Sequence, residues 1–152
     1  MEFKETEDFL DVISRVVVFG DRCPALAKLG VEDVGITHAG PRWCFIRPAP
    51  PFALVLVTVG GNGCVINGGA WEEIGAETVY VMPKGGPHGY RVAPGKKEWQ
   101  YAWVRFRDTS RFEALFGSSE PRVFRAAAYS LHAANRGLID RKSTRLNSSH
   151  RL

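Results

Sequence analysis

Between Glu98 and Phe106 the chain reads EWQYAWVRF, and an extended backbone sends alternate side chains to opposite sides. Trp99, Tyr101, Trp103 and Arg105 then share one face, while Gln100, Ala102, Val104 and Phe106 share the other. The first face is large, aromatic and polar-tipped, which suits either a filled barrel interior or the wall of a pocket. Upstream, from Val31, short apolar runs such as PFALVLVTV, CVI, AWEEI, TVYVM and HGYRV are separated by the clusters GGNG, NGG, PKGGP and APGKK. Strands recurring every ~8 to 12 residues between such turn signals predict an antiparallel β-sandwich or small barrel over 31–110. Asn62-Gly63 and Asn67-Gly68 suit tight hairpins, because both residue types tolerate positive φ.

The two ends follow a different period. Phe9, Leu10, Ile13, Val16 and Val17 recur at helical spacing and predict a short amphipathic helix within Glu5–Phe19, although RVVVF suits a strand equally well. Gly20, Pro24 and Gly30 punctuate a connector, so 1–30 reads as an N-terminal arm or helix. After Asp108, SRFEALFG predicts a helix with Ser110 as N-cap and Gly117 as stop. Phe124, Ala127, Ala128, Leu131 and Ala134 then form one apolar stripe, so 111–139 reads as the start of a helical layer or linker.

Charge changes the picture only after it is located. The formal net charge is +4, but Arg141, Lys142, Arg145 and Arg151 against Asp140 supply most of it, and without 140–152 it falls to +1. The stretch DRKSTRLNSSH, Asp140 to His150, resembles the in-frame translation of a sequencing-library adapter, so 140–152 reads as a non-native tail. A genuine Ser/Arg-rich tail is the alternative. On either reading the charge supports no nucleic-acid function. Cys23, Cys44 and Cys64 are odd in number and widely spaced, which argues against a disulfide framework or zinc ribbon. No apolar run is long enough to span a bilayer, and the acidic start MEFKETEDFLD is unlike a signal peptide, so a cytoplasmic protein with no membrane partner is expected.

Candidate chemistry is sparse. Cys64 with His88 is conceivable as nucleophile and base, but a small apolar cysteine in a strand is more often packing. Glu72 and Glu73 are adjacent, so in a strand they face opposite ways. GGNG leads into a strand and not a helix, and so lacks the helix N-terminus of a phosphate loop.

In GAETVYVMPKGGPHGY the glycine, the Pro-Gly turn and the following His88 resemble the second motif of the cupin barrels. Metal-dependent cupins carry further histidines in the first motif, and the matching stretch VTVGGNGCVINGGAWEEIG has none, so neither a metal nor another cofactor is expected. Together with RPAPPFALVLVTVGGNGCVI and EWQYAWVRF, these motifs resemble the N-terminal ligand-binding and dimerisation domain of AraC-type transcription regulators from about Val34 to Asp108. The resemblance implies a mainly β, cupin-like jelly-roll barrel with an N-terminal arm or helix and C-terminal helices. It implies a non-enzymatic, dimeric sensor of a small molecule, a sugar among the candidates. DNA would be reached only through a helix-turn-helix domain beyond Ile139. By resemblance, Arg47 and Tyr90 contact the ligand, Trp103 stacks on a ring, and Thr37 is a further contact. Tyr101 stands where an arabinose-responsive member has a histidine. His88 and Trp99 complete the expected ligand-binding set, with barrel filling the competing role for Trp99. A stand-alone cupin, either a binding module or an isomerase or dioxygenase type of enzyme, is the alternative.

Overall fold

A computed structural model describes residues 6–8, 11–125 and 134–141. Among the described residues, eleven strands form two antiparallel sheets. In chain order they are β1 (Thr6–Asp8), β2 (Val12–Phe19), β3 (Val31–Ala39), β4 (Cys44–Arg47), β5 (Ala53–Gly61) and β6 (Gly63–Asn67). These are followed by β7 (Ala70–Ile74), β8 (Thr78–Met82), β9 (His88–Val92), β10 (Trp99–Phe106) and β11 (Arg122–Arg125). One sheet has the order β1-β4-β9-β6-β7 and the other β11-β8-β5-β10-β3-β2. The central position of β10, paired with β3 on one side and β5 on the other, makes its alternation decisive for the whole molecule.

That alternation divides two cores. Trp99, Tyr101 and Trp103 point between the sheets, where they meet Leu54, Leu56, Tyr80 and Met82 of their own sheet and Phe45, Val65, Tyr90 and Val92 of the other. Ala102, Val104 and Phe106 point outward and are covered by Leu26, Phe112, Phe116, Leu138 and Ile139. Tyr80 ties the two sheets together, because its hydroxyl donates to the Ile66 carbonyl. Burying a phenol in an otherwise apolar core is tolerable only with such a partner.

The N-terminal segment takes the strand of its two expected forms. Val12–Phe19 is rich in β-branched residues and pairs with β3 from Val12↔Ala39 to Phe19↔Asp33. The connector contains a short helix, α1 (Pro24–Lys28), with Pro24 at its start and Leu26 anchored in the outer core. Of the expected helix residues, Phe9 and Leu10 lie outside the described residues.

Two turn expectations part ways. The β6–β7 hairpin turns on Gly68 and Gly69, both at positive φ (61° and 80°), as a two-residue turn of this kind requires. Asn62-Gly63 makes no hairpin: it carries the chain from one sheet to the other. What Gly63 provides is space, since a Cβ there would lie 2.3 Å from Trp99 Cε2.

The expected helical stretch after Asp108 is also broken up. A 3-10 turn (Ser110–Phe112) leads into α2 (Glu113–Phe116), and Gly117 ends it with an N–H donated to the Glu113 carbonyl at 2.7 Å. Ser110 is not the cap but the first residue of that turn, whose cap position is Thr109; the Ser110 N–H donates to Asp108 Oδ1 at 3.0 Å. Beyond Pro121, Arg122–Arg125 is a strand, with Phe124 opposite Val79, because the edge of β8 offers backbone pairing that an isolated helix end cannot. Ala127, Ala128, Leu131 and His132 lie outside the described residues, and 134–141 is helical. Asn135 pins that helix to the sheet by donating to the carbonyls of Gly35 (2.9 Å) and Trp103 (3.2 Å).

Candidate functional site

At one end of the space between the sheets a cavity of about 250 Å³ remains. Among the described residues its wall comes from five strands and the loops before two of them: Arg15 on β2, Trp43, Phe45 and Arg47 around β4, Phe52 and Leu54 at the start of β5, Tyr90 on β9, and Tyr101, Trp103 and Arg105 on β10. A larger groove of about 570 Å³ lies outside the barrel beside α1 and has Arg105 in common with the cavity. The inner cavity is the better candidate because it is lined by stacked aromatic rings with a few polar groups, the usual make-up of a small-molecule site.

The rings form a chain. Phe45 stacks on Tyr90 at 5.3 Å, Trp43 meets Phe45 edge-on at 4.7 Å, and Tyr90 meets Tyr101 edge-on at 6.0 Å. Offset and edge-on contacts of this kind fix ring orientation beyond what area burial alone would do. Trp43 Nε1 donates to the Tyr101 hydroxyl at 3.0 Å, so the buried phenol has a donor. Burial, with Tyr90 nearby, holds the Tyr101 phenol above its usual range, and it is neutral across the physiological range. Trp103 Nε1 donates to Thr37 Oγ1 at 3.0 Å, and a Cβ on Gly35 would come within 2.5 Å of the Trp103 ring. Gly35 and Thr37 therefore seat Trp103 from behind.

Three arginines complete the wall. Arg47 lies 4.6 Å from the centroid of Phe45, and its Nη1 donates to the Tyr90 hydroxyl at 2.9 Å. Arg15 lies 5.3 Å above Trp103. Arg105 stands over Phe52 at 4.9 Å, and its Nε and Nη2 grip the carboxylate of Asp33, with Nε 2.9 Å from Oδ1; Glu32 is 3.7 Å away. Asp33 is only 1% exposed, so this fork-on-fork pair neutralises a charge that burial would otherwise penalise.

The seven sequence-based site residues thus separate. Arg47, Tyr90, Tyr101 and Trp103 converge on the cavity. Thr37 lies behind Trp103 as its hydrogen-bond acceptor. Trp99 is fully buried below the cavity, 4.4 Å from Tyr101, with Nε1 donating to Thr58 Oγ1 at 3.0 Å. His88 is buried behind Phe52, with Nε2–H donated to the Pro83 carbonyl at 2.8 Å and Nδ1 without a partner. Sequence reasoning did not select Arg15, Trp43, Phe45, Phe52, Leu54 or Arg105. Of these only Arg105 carried a signal, its place on the aromatic face of β10.

His88 supplies a pH prediction. Burial, aided by the charge of Arg47 and opposed by the bond to Pro83, pushes its pKa down to about 4 from 6.5. The unfolded chain then binds the extra proton first as pH falls below about 6.5, so stability should decline from there toward pH 4, by up to about 3 kcal/mol. Urea midpoints measured across that range should fall for the wild type and fall less for His88→Gln; equal slopes would contradict this assignment.

Among the described residues no three His, Cys, Asp or Glu side chains converge as a metal set. His38, on β3, is engaged with Glu98 at 2.8 Å. Cys64 is buried, and burial pushes its thiol up, away from the reactive thiolate. No helix among the described residues is long and apolar enough to cross a membrane.

Comparison with solved structures shows a cupin fold. The chain is similar to the Schizosaccharomyces pombe Cnp3 cupin domain, with TM-score 0.51 and 11% identity over 70% of this chain and 74% of that one. It is also similar to vicilin from Solanum lycopersicum, with TM-score 0.54 and 9% identity over 82% of this chain but 32% of that one. A predicted oxalate decarboxylase from Thermotoga maritima gives TM-score 0.50 and 10% identity over 68% and 98% of the two chains. At these identities the likeness concerns the fold alone. No curated protein matches the chain in sequence. A family model described as the AraC-like ligand binding domain matches residues 34–143.

Proposed function

We propose that this chain, which belongs to the AraC-like ligand binding domain family, senses a small molecule in the cavity between its sheets and relays that binding to a DNA-binding domain. The family is one of effector-binding domains of AraC-type regulators, so effector binding is the starting point; the pocket, the relay and the dimer are our reading. The carrying observation is the convergence of Arg47, Tyr90, Tyr101 and Trp103 on one cavity. Its volume is at the low end for ligand sites, with room for a single ring and its substituents.

A route outward runs through the packing. Trp103 lines the cavity, its carbonyl accepts from Asn135, and the helix at 134–141 covers the outer face of the same sheet. A ligand that binds one arrangement of Trp103 and Arg105 better than another would bias the position of that helix, and through it a partner subunit and operator-bound helix-turn-helix domains. We read the protein as non-catalytic and cytoplasmic.

Titrating intrinsic tryptophan fluorescence with a panel of single-ring sugars and small organic acids tests the reading. A saturable change is expected for at least one compound. Tyr90→Phe, which removes the hydroxyl that positions Arg47 and little else, should weaken that binding about ten- to a hundredfold, the value of a charge-assisted hydrogen bond. Unchanged affinity in Tyr90→Phe would place the ligand elsewhere.

A further inference from the structure

We infer that Arg105 reads the effector directly, its guanidinium donating to an uncharged carbonyl oxygen on a ring-shaped ligand, and that Asp33 is the residue that positions it; this rests on the effector-binding reading above. Arg105 and Asp33 stand directly opposite each other in the pairing of β10 with β3. Asp33 accepts from Nε and Nη2, which is one edge of the planar guanidinium, and Phe52 covers a face of it, with Cζ 4.9 Å from the ring centroid. A clamped edge and a stacked face fix the plane of the group before any ligand arrives, so little side-chain freedom is lost when it donates. Nη1 lies outside the clamp, and both Arg105 and Phe52 line the cavity.

Stability alone does not call for such a pair. Asp33 is 1% exposed, and a carboxylate buried to that extent gains from its partner little more than apolar side chains of the same volume would supply. What the pair adds is a donor held still on the cavity wall. Charge then sets the class of acceptor. Glu32 lies 3.7 Å from Arg105 Nε and is held at 2.9 Å by Nη2 of Arg107. Asp33 and Glu32 thus balance Arg105 and Arg107, and a further carboxylate at Arg105 would be uncompensated there. A carbonyl oxygen adds no charge and accepts an N–H in the plane of its own group. Phe52 and Trp103 line the cavity on either side of this donor in sequence, and their faces suit a ring as the body that carries the carbonyl.

Calorimetric titration of the full chain with ring pairs that differ by one carbonyl, δ-valerolactone against tetrahydropyran and acetophenone against ethylbenzene, with benzoate as a charged probe, tests this. At least one carbonyl compound is expected to bind about tenfold or more tighter than its partner. That preference should fall toward unity in the double variant Asp33→Leu with Arg105→Met, which removes the donor without stranding a charge. In Asp33→Asn, which keeps the guanidinium but loosens its clamp, the preference should also fall while the affinity of the carbonyl-free partner holds; a purely structural role for Asp33 would weaken both compounds alike. Thermal unfolding of each variant establishes that it is folded, and a double variant that does not fold contradicts the premise that the fold can spare the pair and overturns the inference. A carbonyl preference that persists in the double variant overturns it as well. Benzoate losing more affinity than acetophenone in that variant shows that Arg105 reads charge and overturns the neutral assignment. If both members of each pair bind equally, the effector reading stands and this inference falls. If none of the compounds binds, this inference falls, and the effector reading falls with it only when the whole fluorescence panel is silent.

Discussion

Arg105→Met should cost the protein about 3 kcal/mol or more of stability, the penalty of stranding a buried carboxylate. Asp33 is 1% exposed and its two oxygens are held by the Nε and Nη2 of Arg105, which is itself 27% exposed at the edge of the cavity. Methionine fills much the same volume but leaves Asp33 charged and dry. The companion Asp33→Leu strands the cation instead, at a smaller cost because Arg105 can reach solvent and Glu32 lies 3.7 Å away. The double variant replaces the pair with apolar groups of similar volume, and it should recover most of what Arg105→Met loses. Urea unfolding of the four proteins reads the cycle. A loss under about 1 kcal/mol in Arg105→Met would mean that water or another cation reaches Asp33, and that the arginine belongs to the ligand and not to the fold.

Trp99→Ala is the second large effect, expected at about 3 to 5 kcal/mol. The indole is fully buried, packs against the backbone at Gly63, lies 4.4 Å from Tyr101 and donates to Thr58. Its removal opens a void in a double-sheet core whose backbone cannot collapse onto it, so both the transfer and cavity penalties apply. Trp99→Phe should cost less and leave ligand affinity within about twofold of wild type, because Trp99 is absent from the cavity wall. Tyr90→Phe should do the reverse, with little change in stability and a clear loss of binding. If Trp99→Phe instead abolishes binding while the fold survives, the ligand sits deeper than the cavity described above.

That contrast between Trp99 and Tyr90 marks where sequence reading reaches its limit. Both are aromatic, and both sit beside the family-like motifs. Period-two alternation puts Trp99, Tyr101 and Trp103 on the inner face of β10 and Ala102, Val104 and Phe106 on the outer one, and the structure keeps this division. Alternation says nothing about depth along the strand. Trp99 is toward the closed end and Trp103 toward the cavity because of how β3, β5 and the opposing sheet register against β10.

Read along the chain alone, the amino acids establish the antiparallel β class, the two faces of the aromatic strand, the family resemblance, and four of the ten described residues that line the cavity. All of these rest on local chemistry: side-chain period, turn residues, and motifs short enough to read in one window. The tertiary structure alone decided that Val12–Phe19 and Arg122–Arg125 are edge strands, since an edge strand exists only where another strand offers its backbone. It also decided that Asn62-Gly63 crosses between sheets, and that Arg15, Trp43, Phe45, Phe52, Leu54 and Arg105 meet Tyr90 and Trp103 around one cavity. Arg15 and Arg105 are separated by most of the barrel in sequence, and only pairing through β3 brings β2 and β10 into one sheet with both side chains facing inward. A site built from residues so far apart becomes visible only when long-range strand pairing has closed the barrel around it.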